Sequence, residues 1–103
     1  MEAVTFRFAD AARRLGVEAR RLGLTAPAFR SPPRLVGVDR TLRRRPDGGA
    51  VVAVVLRGRP WAAVLADLID GVVAANRLGG VAADRARSAL WEAMAGSEAP
   101  VAA

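Results

Sequence analysis

The sequence predicts a single α+β domain in the order helix, β-hairpin, helix, helix, and three observations carry that prediction. Apolar residues recur at helical spacing before residue 23 and again after residue 60. Between those stretches, an alternating run at 36–45 and a continuous apolar run at 50–56 flank Pro46-Asp47-Gly48-Gly49, a turn sequence in which proline presets φ and glycine supplies positive φ. A chain of 103 residues has room for one core, placed here at residues 1–96, with 97–103 expected to be a flexible tail.

The first helix is placed at residues 5–22. Phe8, Ala12, Leu15, Ala19 and Leu22 fall on one face with Ala11 beside them, while Arg13, Arg14, Arg20 and Arg21 fall largely on the other. Thr5 is the candidate cap at its start and Gly23 at its end. Val4, Phe6 and Phe8 also alternate with Thr5 and Arg7, so a short strand ahead of a helix capped by Asp10 is the competing reading. Residues 25–33 contain Pro27, Pro32 and Pro33 and read as an irregular linker, ordered if Phe29 finds a pocket.

The hairpin is placed at residues 36–57. Its first strand carries Val36, Val38 and Leu42 on one face, interrupted by Arg40, and Asp39, Thr41, Arg43 and Arg45 on the other. The second strand, from Ala50 to Arg57, is apolar on both faces through Leu56, which calls for neighbours and cover that a two-stranded ribbon does not provide. Either a third strand of this chain or a second copy of it is expected to complete the sheet.

Pro60 opens a helix over residues 60–78 that closes at Gly79-Gly80. Trp61, Leu65, Leu68, Ile69, Val72 and Val73 cover a broad face and leave a narrow stripe of Asp67, Asp70 and Arg77, the pattern of a central helix. Asn76, set within the apolar face, is expected to bond backbone or a twofold-related copy. A last helix over 82–95 buries Ala83, Ala86, Leu90, Ala93 and Met94, with Trp91 at the rim. A strand followed by two helices is similar in order to the ribbon-helix-helix arrangement. The likeness stops at order: the first helix of the pair is too long, and the strand before it is nearly all apolar and has its own hairpin partner.

Composition narrows the chemistry. Apolar residues make up 52% of the chain but aromatics only 5%, and they are mostly alanine and valine with a few leucines, so a core of small side chains is expected. Such a core buries modest area at roughly 25 cal/mol per Å², and a homodimer that extends it is expected. The absence of cysteine and histidine excludes disulfides, Cys/His zinc sites, thiol catalysis and imidazole acid–base catalysis. A binding protein is expected rather than an enzyme, with no cofactor. The N-terminus lacks the pattern of a signal peptide, and the apolar stretch from Pro60 to Leu78 is broken by Asp67, Asp70 and Arg77. A cytoplasmic protein that does not cross a membrane is expected.

All 16 basic residues are arginine, a bias that a GC-rich genome produces by codon pressure. Their placement is not explained that way. Residues 1–48 hold eleven arginines against five carboxylates, whereas residues 49–103 hold five of each, so the net charge of +6 belongs to the first half. The densest feature is Arg40-x-x-Arg43-Arg44-Arg45, with Arg57 and Arg59 at the far end of the returning strand. Guanidinium forks match phosphate oxygens bidentately, so these six are candidate contacts to a nucleic-acid backbone, with Arg13 and Arg20 of the first helix extending the patch. The alternatives are a solvated edge protected by charge, or an acidic protein partner.

Asp67 and Asp70, three residues apart, are the clearest carboxylate pair and read as a stripe holding Arg77 or a hairpin arginine, or more weakly as a metal or acid–base pair. Gly48-Gly49 leads into a strand and Gly79-Gly80 ends a helix, so neither is a phosphate loop. With no tyrosine, and the three phenylalanines outside the hairpin, a stacking platform for sequence-specific reading of single strands is disfavoured. The two functions the sequence supports are therefore low-specificity binding to nucleic-acid phosphates and protein docking through the apolar strand and helix.

Overall fold

A computed structural model describes residues 2–98, and the side chains of 7–95. The elements are α1 (Glu2–Arg21), β1 (Ala28–Arg30), β2 (Arg40–Arg44), β3 (Ala50–Val54), α2 (Trp61–Ala75) and α3 (Gly80–Glu98). The α+β class and the order of the expected elements are as read from the sequence, with one strand added. That strand lies in the linker read as irregular. β1 pairs in parallel with β3, which pairs antiparallel with β2, giving the sheet order β1-β3-β2. The neighbour that β3 required thus comes from this chain, and Phe29 of β1 packs against the core.

Helical periodicity wins at the N-terminus. Phe8, Ala11, Leu15 and Ala19 are buried along one face of α1. The helix closes at Gly23, whose φ is 77°. The Gly23 amide donates to the Arg20 carbonyl at 3.0 Å and the Leu24 amide to the Ala19 carbonyl at 2.9 Å, the paired bonds of a Schellman ending. Leu22, expected on the buried face, lies beyond the helix and is exposed.

The hairpin turn forms as read. The Gly48 amide bonds the Arg45 carbonyl at 3.0 Å, Gly48 has φ 91°, and the Arg45 amide bonds the Gly49 carbonyl at 2.8 Å, a type I turn with a glycine bulge. The first strand is shorter than expected. Residues 36–39 are outside it, Val36 is fully exposed, and of the expected apolar face only Leu42 packs on the core. Strand pairing follows β3, which ends at Val54, so residues further from the turn have little ladder to join.

β3 is the spine of the molecule. Val52 and Val54 face the helices and are fully buried, while Val51 and Ala53 face the other side of the sheet. α2 crosses the helical side and buries Val64, Leu65, Leu68, Ile69, Val72 and Val73, the central packing expected of it. Gly71 lets it approach: a Cβ there would lie 2.7 Å from Cγ1 of Val52. α2 starts one residue later than predicted, with Pro60 as its cap, and stops at Ala75, three residues early. The early stop is a second Schellman ending, in which the Leu78 amide bonds the Val73 carbonyl at 3.2 Å and Arg77 takes φ 54°.

Asn76 explains why the chain turns there. Its Oδ1 accepts from the Thr25 amide at 2.9 Å, and its Nδ2 donates to the carbonyls of Thr25 at 2.9 Å and Val72 at 2.8 Å. The side-chain amide thereby joins the end of α2 to the chain leaving α1, and Leu24 and Leu78, each one residue past a helix ending, pack on the same small cluster of Val73, Ala83 and Ala86. Of the two readings of Asn76, backbone bonding is the one observed. Asn76→Ala is expected to lower unfolding free energy by about 1.5 kcal/mol, since it removes the side-chain bonds that tie the end of α2 to Thr25. A urea titration in which the midpoint stays at the wild-type value would contradict this role.

α3 buries Ala83, Ala86, Leu90 and Met94, with Trp91 partly buried against the core. It extends through Ser97 and Glu98, the first two residues of the expected tail, and the rest of that segment lies outside the described residues. No helix among the described residues is long and apolar enough to cross a membrane.

Candidate nucleic-acid interface

The expected arginine ribbon divides between the two faces of the sheet. Alternation along β2 turns Arg40, Leu42 and Arg44 toward the helices, and Thr41 and Arg43 toward the open side. The inward arginines are held by α2. Arg40 Nη1 reaches Oδ1 of Asp67 and Oδ2 of Asp70, both at 3.2 Å. Arg44 donates to the carbonyls of Ala75 at 3.0 Å and Ala74 at 3.1 Å, in the last turn of the helix, where the carbonyl ends carry a partial negative charge.

Arg59 is also turned inward. Its side chain is only 15% exposed and donates to Oδ2 of Asp67 at 2.6 Å and to the Val55 carbonyl at 2.8 Å. Arg87 of α3 bonds Oδ1 of Asp70 at 2.8 Å. With Asp39 beside Arg59 and Asp84 beside Arg87, acidic and basic groups alternate along a chain Asp39, Arg59, Asp67, Arg40, Asp70, Arg87, Asp84. Asp67 and Asp70 therefore hold a hairpin arginine, as read, together with Arg59 and Arg87. No described cluster of acidic side chains has the makings of a metal site.

Three of the eight candidate contacts, Arg40, Arg44 and Arg59, are thus engaged within the fold, and Arg13 pairs with Asp10 on the surface of α1. Arg20, Arg43, Arg45 and Arg57 are exposed and make no side-chain ion pair or hydrogen bond among the described residues. Arg30 joins them. It was missed because it falls in the linker, but its register opposite Ala53 in β1 puts it on the open face. The signal available was the alternation Ala28, Phe29, Arg30, too short to stand out beside three prolines.

The open arginines line two depressions. The first, of about 360 Å³, has Val51 and Ala53 as its floor, Arg30, Thr41 and Arg43 around it, and Pro32 and Leu35 from the segment crossing between β1 and β2 as its wall. The second, also about 360 Å³, lies between α1 and the hairpin tip and is lined by Arg13, Arg20 and Arg45 over Gly16, Ala28 and Ala50. Ala28 pairs with Val51, which pairs with Arg43, so the two depressions adjoin along the sheet. Arg13 and Arg20 therefore do meet the hairpin, through Arg45, whereas Arg57 sits past the opposite end of β3 and lines neither depression. Comparison with protein-family models, with curated proteins and with solved structures finds no match to this chain.

Proposed function

We propose that this protein is a binding module for the phosphate backbone of nucleic acid, with low sequence specificity and no catalytic activity of its own. One observation carries the reading: the carboxylates of α2 are all engaged on the helical side, while Arg20, Arg30, Arg43 and Arg45 stand without partners around two adjoining depressions. Uncompensated guanidinium groups around adjoining depressions attract polyanions and can grip phosphate oxygens bidentately. The lack of histidine and cysteine favours binding over chemistry. A homodimer belongs to the same proposal, since a second copy would double the arginine surface.

Fluorescence anisotropy with a labelled oligonucleotide across a salt series tests it. The expected log–log slope falls by about 0.7 to 0.9 for each phosphate contact removed, so the triple variant Arg20→Gln/Arg43→Gln/Arg45→Gln should flatten it by about 2. Arg85→Gln, which lines neither depression, should leave slope and affinity as they were. Binding that is absent, or indifferent to salt, refutes the reading.

A second reading, docking of a protein partner, has its own supporting observation. Leu22, Leu24, Leu78, Ala82, Ala86 and Ala89 line an apolar groove of about 400 Å³ in which Arg85 is the single charge, and Val81 nearby is 67% exposed. An apolar helix carrying a carboxylate is the matching chemistry. If native complexes keep a protein partner after nuclease treatment, and Arg85→Glu releases it, this second reading replaces the first.

A further inference from the structure

We infer that the open-face depression seats one nucleotide of a single strand, so that the ligand is single-stranded nucleic acid rather than a duplex; this rests on the nucleic-acid reading above and specifies its ligand. The two arginines come from opposite edges of the sheet. Arg30 is level with Ala53 and Arg43 with Val51, one pleat apart along β3. With strands about 4.8 Å apart and about 3.4 Å per residue, their Cα atoms are roughly 12 Å from each other. Both side chains line the same depression, so their guanidinium groups can take the phosphate from two sides, with the Thr41 hydroxyl beside them.

What lies between the arginines is apolar and concave. Val51 and Ala53 form a floor that no helix covers, and Pro32 and Leu35 rise beside it. The phosphates of a duplex line a convex cylinder whose base faces are stacked inside, so a duplex has no base face to lay on this apolar floor. A single strand can turn one unstacked base down onto an apolar surface while its phosphate stays at the rim. The depression holds no aromatic side chain and no amide side chain. Base identity is therefore not read, and the seat accepts any base. That agrees with the low specificity proposed above.

The test compares a labelled single strand of mixed sequence with a duplex of equal phosphate number at one salt concentration, with a nucleoside monophosphate as competitor. The single strand is expected to bind about tenfold more tightly than the duplex, because only an unstacked base can cover the apolar floor. Arg30→Gln, an exposed position, should reduce that preference to threefold or less, and Leu35→Asp, which places a carboxylate in the depression, should abolish it with the circular dichroism spectrum unchanged. Should Leu35→Asp fail to fold, Arg30→Gln and Thr41→Val carry the same test. Equal affinity for both oligonucleotides, or a preference that survives the variants, overturns the inference and leaves the phosphate-binding reading standing. A mononucleotide that competes as well as the strand also overturns it. Failure of both oligonucleotides to bind removes the reading itself.

Discussion

Asp67→Ala is expected to lower the unfolding free energy by about 3 kcal/mol, a large share of the stability of a domain this size. Asp67 is 18% exposed and accepts from Arg59, itself 15% exposed, and from Arg40. Truncation leaves the Arg59 guanidinium largely out of water with only the Val55 carbonyl and the more distant Asp39 for company. The penalty is the desolvation of an unpaired charge, which exceeds the net value of the pair itself. Asp70→Ala should cost about 1 kcal/mol, because Asp70 is 35% exposed and its partners Arg40 and Arg87 are 37% and 42% exposed. Urea denaturation of the two variants side by side measures the ranking. Equal losses, or a loss at Asp67 that disappears in high salt as a surface pair would, argue against a shielded network. Arg59→Met/Asp67→Leu should recover most of the stability, since matched apolar groups replace both charges together.

Gly71→Ala is expected to cost about 2 kcal/mol, against the usual gain of about 1 kcal/mol when alanine replaces glycine inside a helix. The added methyl would meet Val52 at 2.7 Å from Cγ1 and 3.1 Å from Cγ2, and Val52 is a fully buried residue on the central strand. Neither α2 nor β3 can retreat cheaply, for α2 is packed on α1, α3 and β2 as well as β3, and β3 is paired on both edges. Val52→Ala alone should cost about 2 kcal/mol through the cavity it leaves. Together the two should cost less than their sum by at least 1 kcal/mol, because the new methyl fills the space the valine vacated. Strict additivity in this cycle would mean that the helix shifts freely and that the close approach is not a constraint.

The value of the arginine cluster depends on the same architecture. Read as a string, Arg40 and Arg43 to Arg45 are one basic run next to a proline turn. In the fold they are sorted by the two-residue period of the strand, Arg40 and Arg44 going to α2 and Arg43 to the open side, while Arg45, just past the strand, lines the depression beside α1. Arg59 looked like the far end of the same ribbon, but the tight connection into α2 directs it to Asp67, eight residues on. A charge count by halves finds that the first half is rich in cations without finding which of them are already neutralised.

The sequence by itself determined that there are three helices, the hairpin turn and most of the core face of each helix, because those depend on local spacing and on the few residues that fix φ. Pro46 and Gly48 force the turn wherever it occurs, Gly23 ends a helix whose apolar face has run its course, and Leu65, Leu68, Ile69 and Val72 recur at the helical period. It also showed that β3 lacked a neighbour, though not which segment supplied it. Only the tertiary structure decided that Ala28–Arg30 pairs with β3 from more than twenty residues away, that Asn76 ends α2 by bonding Thr25, and that Asp67 and Asp70 draw Arg40 and Arg59 inward. Those outcomes depend on which groups are brought within hydrogen-bonding distance once the chain has collapsed. A three-residue strand and a carboxylate stripe carry too little local signal to announce their partners, and it was those partnerships that selected the arginines left facing solvent.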